Sequence, residues 1–182
     1  TSGYTPKPIT PIVATPVPGN TAPAIVVGAP ITDIRIQNTS AAAQTNVPFT
    51  FGQVIAAGEM LGNEGLAAKL ADGTVIRLQA DIKATHADGS VRHVIVSGVL
   101  PSLAAGQTQT LTLVKSSASE NSNVTLQQLA ASGLDSKVSI TLDNVKYTAS
   151  LADALAAADP INWLSGPVAN EWIMAVPLKD AA

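Results

Sequence analysis

The sequence predicts a mostly β protein, an antiparallel β-barrel with two short helices behind an extended, proline-rich N-terminal arm. Three observations carry that expectation. Thr74–Leu100 reads TVIRLQADIKATHADGSVRHVIVSGVL, two β-rich runs flanking Asp88-Gly89, a dipeptide suited to a tight hairpin turn. Gln107–Lys115 (QTQTLTLVK) alternates with the two-residue period of a half-buried strand. Seven of the twelve prolines fall within residues 1–30, where neither helix nor central strand can form.

The arm comes first. Pro6, Pro8, Pro11, Pro16, Pro18, Pro23 and Pro30 each fix φ and remove a donor, so the path is extended and partly polyproline II. Ile9, Ile12, Val13, Val17, Ile25, Val26 and Val27 lie between them, which makes the strip apolar. A stiff, extended, apolar strip loses little entropy on docking. Residues 1–30 are therefore expected to lie in a groove of a neighbouring subunit. The assembly contacts are Pro6, Pro8, Ile9, Pro11, Ile12, Val13, Pro16, Val17 and Pro18. Residues 31–182 are expected to form the barrel domain.

Within that domain, Ile31–Asn38 and Val47–Ala56 read as strands, the second with Phe49 and Phe51 on one face. Leu66–Leu70 is a short strand that turns at Asp72-Gly73 into the central hairpin. A two-residue loop there pairs Ala87 with Ser90, His86 with Val91 and Ala84 with His93. One face then carries Ile76, Leu78, Ala80, Ile82 and Ala84, with Val91, His93, Ile95 and Val99. The other is polar near the tip, at Arg77, Gln79, Asp81, Lys83, Thr85 and Arg92. Farther out it turns apolar at Val94, Val96 and Leu100, as in a sheet covered on both sides. After the Gln107–Lys115 strand, Thr125–Ser132 reads as a helix closed by Gly133. Lys137–Leu142 and Val145–Ala149 form a second hairpin around Asp143-Asn144. Ser150–Ala158 is a helix capped by Ser150 with Asp153. Ala169–Leu178 is expected as a final strand.

Composition narrows the function classes. Charged residues make up 13% of the chain, about half the usual share, which suits a surface packed into a homo-oligomeric assembly. A net charge of −3 with only three arginines supplies no basic stripe for phosphate contacts, so no nucleic-acid partner is expected. No apolar run of about 20 residues is present to insert in a membrane. The N-terminal TSGYTPKPITP lacks the basic and apolar regions of a secretory signal. The absence of cysteine removes disulfides, thiolate metal sites and a cysteine nucleophile.

His86, Asp88, Ser90 and His93 invite a catalytic reading. Ser90, however, belongs to the turn and sits across the sheet from His93, whereas a triad needs its members within hydrogen-bond reach. Turn chemistry and a buried His93 account for the same residues. The two histidines lack a third ligand in register for zinc. Gly62-Asn63-Glu64-Gly65 lacks the strand, helix and lysine of a phosphate loop. No catalytic, metal or cofactor-binding residue is expected, and no cofactor. Trp163 and Trp172 could offer aromatic faces to a sugar, with Glu171 reaching a hydroxyl, although packing is the commoner use of such residues.

Taken together, VPFTFGQVIAAGEM, LADGTVIRLQADIKATHADGSVRHVIVSGVL, QTLTLV and the later SGPVANEWIMAVPL resemble the N-terminal RIFT-barrel domain of the rhamnogalacturonan exolyase and YetA-like family. Such domains also occur in proteins of tailed phages. The matching features are Val47–Gly52, then Asp72, Gly73 and Gln79, then Asp88, Gly89, Ser90, Val91 and Arg92. They are dense over 47–114 and thin elsewhere. His93 stands where the family usually has tryptophan. The lyases work with a large helical domain after the barrel, so no catalytic residue carries over. The resemblance implies either a stand-alone barrel or one part of a longer protein. The expected function is a non-enzymatic virion structural protein of a tailed bacteriophage, in the tail or a surface attachment, bound to other virion proteins. The alternative is an extracellular or cell-surface carbohydrate-binding accessory domain related to polysaccharide lyases, with host surface glycan as partner.

Overall fold

The computed structural model describes residues 25–117, 123–134, 136–157 and 159–180. The assembly contacts Pro6 to Pro18 lie outside them. The described residues form two compact units. One comprises residues 25–117 and 164–169, the other residues 123–163 and 170–180, each within the limits just given.

The first unit holds β1 (Val27–Gln37), β2 (Gln44–Val54), β3 (Gly65–Leu70), β4 (Val75–Thr85), β5 (Val91–Leu103) and β6 (Thr108–Ser116). They make one sheet in the order β1-β6-β3-β4-β5-β2, every pairing antiparallel. The sheet curls into a half-barrel, with β1 and β2 as its two edges. One face of the sheet buries Leu66, Leu78, Val94, Val96, Leu100, Leu111 and Leu113. Ile34 and Ile36 of β1, and Val47, Phe49 and Phe51 of β2, pack half-buried against them. The Phe49 and Phe51 rings stack at 6.1 Å, as their spacing predicts. β1 begins at Val27, four residues before the expected start, so the β-fold takes in Pro30. The cost of Pro30 appears as register shifts between Val27 and Pro30 and between Pro30 and Thr32, because proline cannot donate to the ladder.

The central hairpin forms where expected but with a longer loop. His86 N donates to Ser90 O at 2.8 Å, and Gly89 N to His86 O at 3.0 Å. The loop is therefore Ala87-Asp88-Gly89, and Gly89 alone takes positive φ, +82°. That is a three-residue loop with a glycine bulge. The extra residue moves the register. Ala84 does pair with His93, but Thr85 pairs with Val91, Ile82 with Val94 and Ala80 with Val96. A one-residue slip exchanges faces. Val94, Val96 and Leu100 consequently enter the core beside Leu78, while Val99 is exposed and His93 and Ile95 are half-buried. The irregularity between Ala84 and Thr85 lets Val91 and Val94, three apart, both be buried.

The second unit holds α1 (Leu126–Ala131), β7 (Lys137–Leu142), β8 (Val145–Ser150), α2 (Leu151–Ala157), β9 (Ile161–Leu164), β10 (Glu171–Ile173) and β11 (Lys179–Asp180); Leu164 itself falls in the first unit. Local chemistry sets most of these bounds. Thr125 caps α1 in a reciprocal capping box with Gln128, and Gly133 follows at φ +72°. Ser150 and Asp153 cap α2 the same way: the Ser150 hydroxyl accepts from Asp153 N at 3.1 Å, and Asp153 Oδ2 accepts from Ser150 N at 3.1 Å. Asp143 and Asn144 sit at φ 48° and 64°, the mirror-image turn that matches strand twist, and join β7 to β8. The sheet order here is β11-β8-β7.

The expected strand Ala169–Leu178 does not form as one piece. β9 and β10 make a separate two-stranded sheet, and β11 pairs with β8. The N–H groups of Val168 and Ala169 are taken by a side chain instead of a ladder, and Pro177 withholds a donor just before β11.

Candidate functional site

Four places on the described surface could do more than hold the fold. The first is a clamp on the face of the six-stranded sheet opposite Leu78. Gln79 is 2% exposed and lies beneath the segment Leu164–Ala169 of the same unit. Its Oε1 accepts from Val168 N at 3.0 Å and Ala169 N at 2.9 Å, and its Nε2 donates to Ala169 O at 2.8 Å and Asp81 Oδ2 at 2.6 Å. Asp81 Oδ1 accepts from Ser165 N at 2.9 Å. Gly166 has to be glycine here: a Cβ would stand 2.4 Å from Gln79 Cδ. Two stretches on which the resemblance rests, Gln79 and SGPVA, thus touch. All of the amide's hydrogen-bonding groups are engaged, so the clamp positions backbone and offers nothing to a substrate.

The second is the hairpin tip. Asp88 Oδ1 accepts from Ser90 N at 3.0 Å and Ser90 Oγ at 2.6 Å, and Ser90 Oγ accepts from Gly58 N at 2.9 Å. His86 Nε2 meets Ile55 O at 2.9 Å. The Ser90 hydroxyl and N–H hold the Asp88 carboxyl below the usual carboxylate range. Asp72 is lowered likewise by Thr74, and Asp153 by the Ser150 hydroxyl and then Lys179. Ser90 and His86 tie the tip to the loop ahead of β3. His93 is half-buried rather than buried, with Nε2 standing over Gly52. Among the described residues no three histidine or acidic side chains gather as a metal site.

The third is the aromatic ribbon. Trp163 on β9 is 41% exposed, Glu171 on β10 is exposed, and Trp172 is half-buried. Of the two tryptophans, Trp163 is the one that presents surface to solvent.

The fourth was not singled out from the sequence. Among the described strands β7 lies at the end of its sheet, with all six residues exposed. Val138, Ile140 and Leu142 alternate along it at 59%, 39% and 58% exposure. Across the pair stand Ala149, Tyr147 and Val145, so this face of the ribbon is apolar from end to end. The signal was the strict alternation of KVSITL.

An open groove of about 430 Å³ also lies along the irregular start of β1, lined by Val27, Gly28, Pro30, Lys69, Leu70, Ala71, Thr110, Thr112 and Val114. Lys69 is its one charged lining residue.

The fold and these sites define a class: a curled antiparallel half-barrel whose polar groups are spent on structure and whose exposed features are sheet edges, an apolar face and one tryptophan. No protein-family model, curated protein or solved structure matches the chain. No described helix is long and apolar enough to cross a membrane.

Proposed function

We propose that this chain is a non-enzymatic structural subunit, a virion protein of a tailed bacteriophage that docks on its neighbours through its N-terminal arm. The observation that carries the reading is an apolar, donor-poor strip ahead of a fold whose described core cluster is built from residues between Ile31 and Leu113. Low surface charge, the polar groups spent on turns and clamps, and the resemblance to phage-borne barrels support the same reading.

The structure changes how the arm is best removed. Cutting at residue 30 would take four residues of β1, so the informative deletion is 1–24. The expected result is loss of this chain from density-gradient-purified particles, with an unchanged far-ultraviolet circular dichroism spectrum of the purified protein. Undiminished incorporation of the deleted chain would overturn the proposal.

A second reading, a carbohydrate-binding module, is favoured by exposed Trp163 on β9 and exposed Glu171 on β10, strands of one small sheet. It expects acidic or rhamnose-containing oligosaccharides to quench tryptophan fluorescence, with Trp163→Ala abolishing the response. A flat response across a glycan array would sink it.

A further inference from the structure

We propose that the groove beside the start of β1 is a ligand site for a small carboxylate with an apolar body, the carboxylate held by Lys69. Every residue named in its lining belongs to the half-barrel unit. The site goes beyond the assembly reading, which neither needs nor excludes it.

The groove has a local cause. From Val27 to Thr32 β1 takes five steps, where β6 takes three from Ser116 to Leu113. The surplus chain has to bow away from its partner, as a bulged strand does. Pro30 keeps it irregular, because it has no donor to return to the ladder. Val27 and Pro30 so become a wall, with Lys69 and Ala71 of the β3 end across from them. Between the two runs β6, which turns Leu111 and Leu113 into the core and therefore Thr110, Thr112 and Val114 to the other face. Those side chains are too small to fill the gap, which leaves about 430 Å³ open.

The lining then selects the ligand. Apolar carbon comes from both walls and from Val114. The polar groups are few: the Lys69 ammonium and two threonine hydroxyls. Thr112 Oγ1 donates its proton to Asp33 Oδ1 at 2.7 Å, whereas no hydrogen bond engages the Thr110 hydroxyl among the described residues. The ion pairs there join Lys115 to Glu64 and Lys179 to Asp153, so Lys69 has no acidic partner. On the β1 rim Asp33 stands opposite Thr112 and Arg35 opposite Thr110, two charges that offset one another. Asp72 lines a separate groove, where its carboxylate accepts from Thr74 N at 2.8 Å. Lys69 therefore sets the sign of the site. A mostly apolar concavity of this size with a few placed polar groups is the common form of a small-molecule site. Inorganic phosphate would use the ammonium and waste the apolar walls, and a neutral lipid would do the reverse. A carboxylate on an apolar body uses both, through a charge-assisted hydrogen bond.

Octanoate is the probe, added to the full-length chain labelled with nitrogen-15, with 1-octanol and acetate as comparisons. Octanoate should shift the amides of Lys69, Ala71, Thr110 and Thr112 saturably, and acetate should not. Lys69→Met keeps the length of an exposed side chain and should weaken octanoate by about tenfold or more, the worth of one hydrogen bond to a charged group. It should leave 1-octanol unchanged, a contrast that general damage to the fold would not produce. Lys69→Arg should restore octanoate binding. The proposal is overturned by octanoate that does not saturate, by shifts that map outside the groove, or by 1-octanol binding as tightly as octanoate. An unchanged octanoate affinity in Lys69→Met overturns it as well, and so does Lys69→Arg binding as weakly as Lys69→Met.

Discussion

Leu111→Ala is expected to lower the stability of the half-barrel unit by about 2–5 kcal/mol, the usual range for emptying a closed core site. Leu111 is fully buried at the middle of β6. It pairs with Ile34 of β1 on one side and Leu70 of β3 on the other. Trimming its isobutyl group to a methyl leaves a void that neither ladder can close, because both are fixed by backbone bonds. Denaturant unfolding should show the midpoint falling with the slope unchanged, the signature of lost stability rather than altered compactness. A loss under about 1 kcal/mol would mean that β1, β6 and β3 do not enclose a dry core there.

Gln79→Leu should act through a different mechanism. Leucine keeps the bulk but offers nothing to Val168 N, Ala169 N or Ala169 O, and it removes a donor from Asp81. Each buried group left without a partner costs about 1–3 kcal/mol. Val168 and Ala169 are half-buried, so water recovers part of that, and a net loss of about 3 kcal/mol is expected. The sharper readout is amide hydrogen exchange. Protection at Ser165, Val168 and Ala169 should collapse, while β4 and β5 keep theirs. Unchanged protection in Leu164–Ala169 would show that Gln79 is not what holds the segment down.

The turns and caps could be read directly from the sequence. Asp143-Asn144, the Ser150–Asp153 cap and Gly133 after α1 all formed where local chemistry placed them. So did the alternation that buries Leu111 and Leu113, and the shared face of Phe49 and Phe51. The central hairpin was legible in position but not in register. Asp88-Gly89 fits a two-residue loop as well as a three-residue one. The choice follows from bonds outside the hairpin, Ser90 Oγ to Gly58 N and His86 to Ile55 O. That choice moved Val94, Val96 and Leu100 into the core.

The candidate sites divide in the same way. The arm's apolar, proline-rich character is plain in the sequence. Trp163, Glu171 and Trp172 were visible as residue types, but only burial separates exposed Trp163 from half-buried Trp172. The β7 edge went unnoticed because a strand's alternation reveals its two faces without telling whether either is covered.

By itself the sequence determined the β character of the chain, its turns and its helix caps. Each of these depends on neighbours a few residues apart, whose sterics and hydrogen bonds act in any context. The tertiary structure alone decided the hairpin register, the role of Gln79 and the fate of Ala169–Leu178. Gln79 meets its backbone partners about 90 residues downstream. Those bonds withdraw the N–H groups that a continuous strand would have needed, and no local pattern records where a distant amide will be.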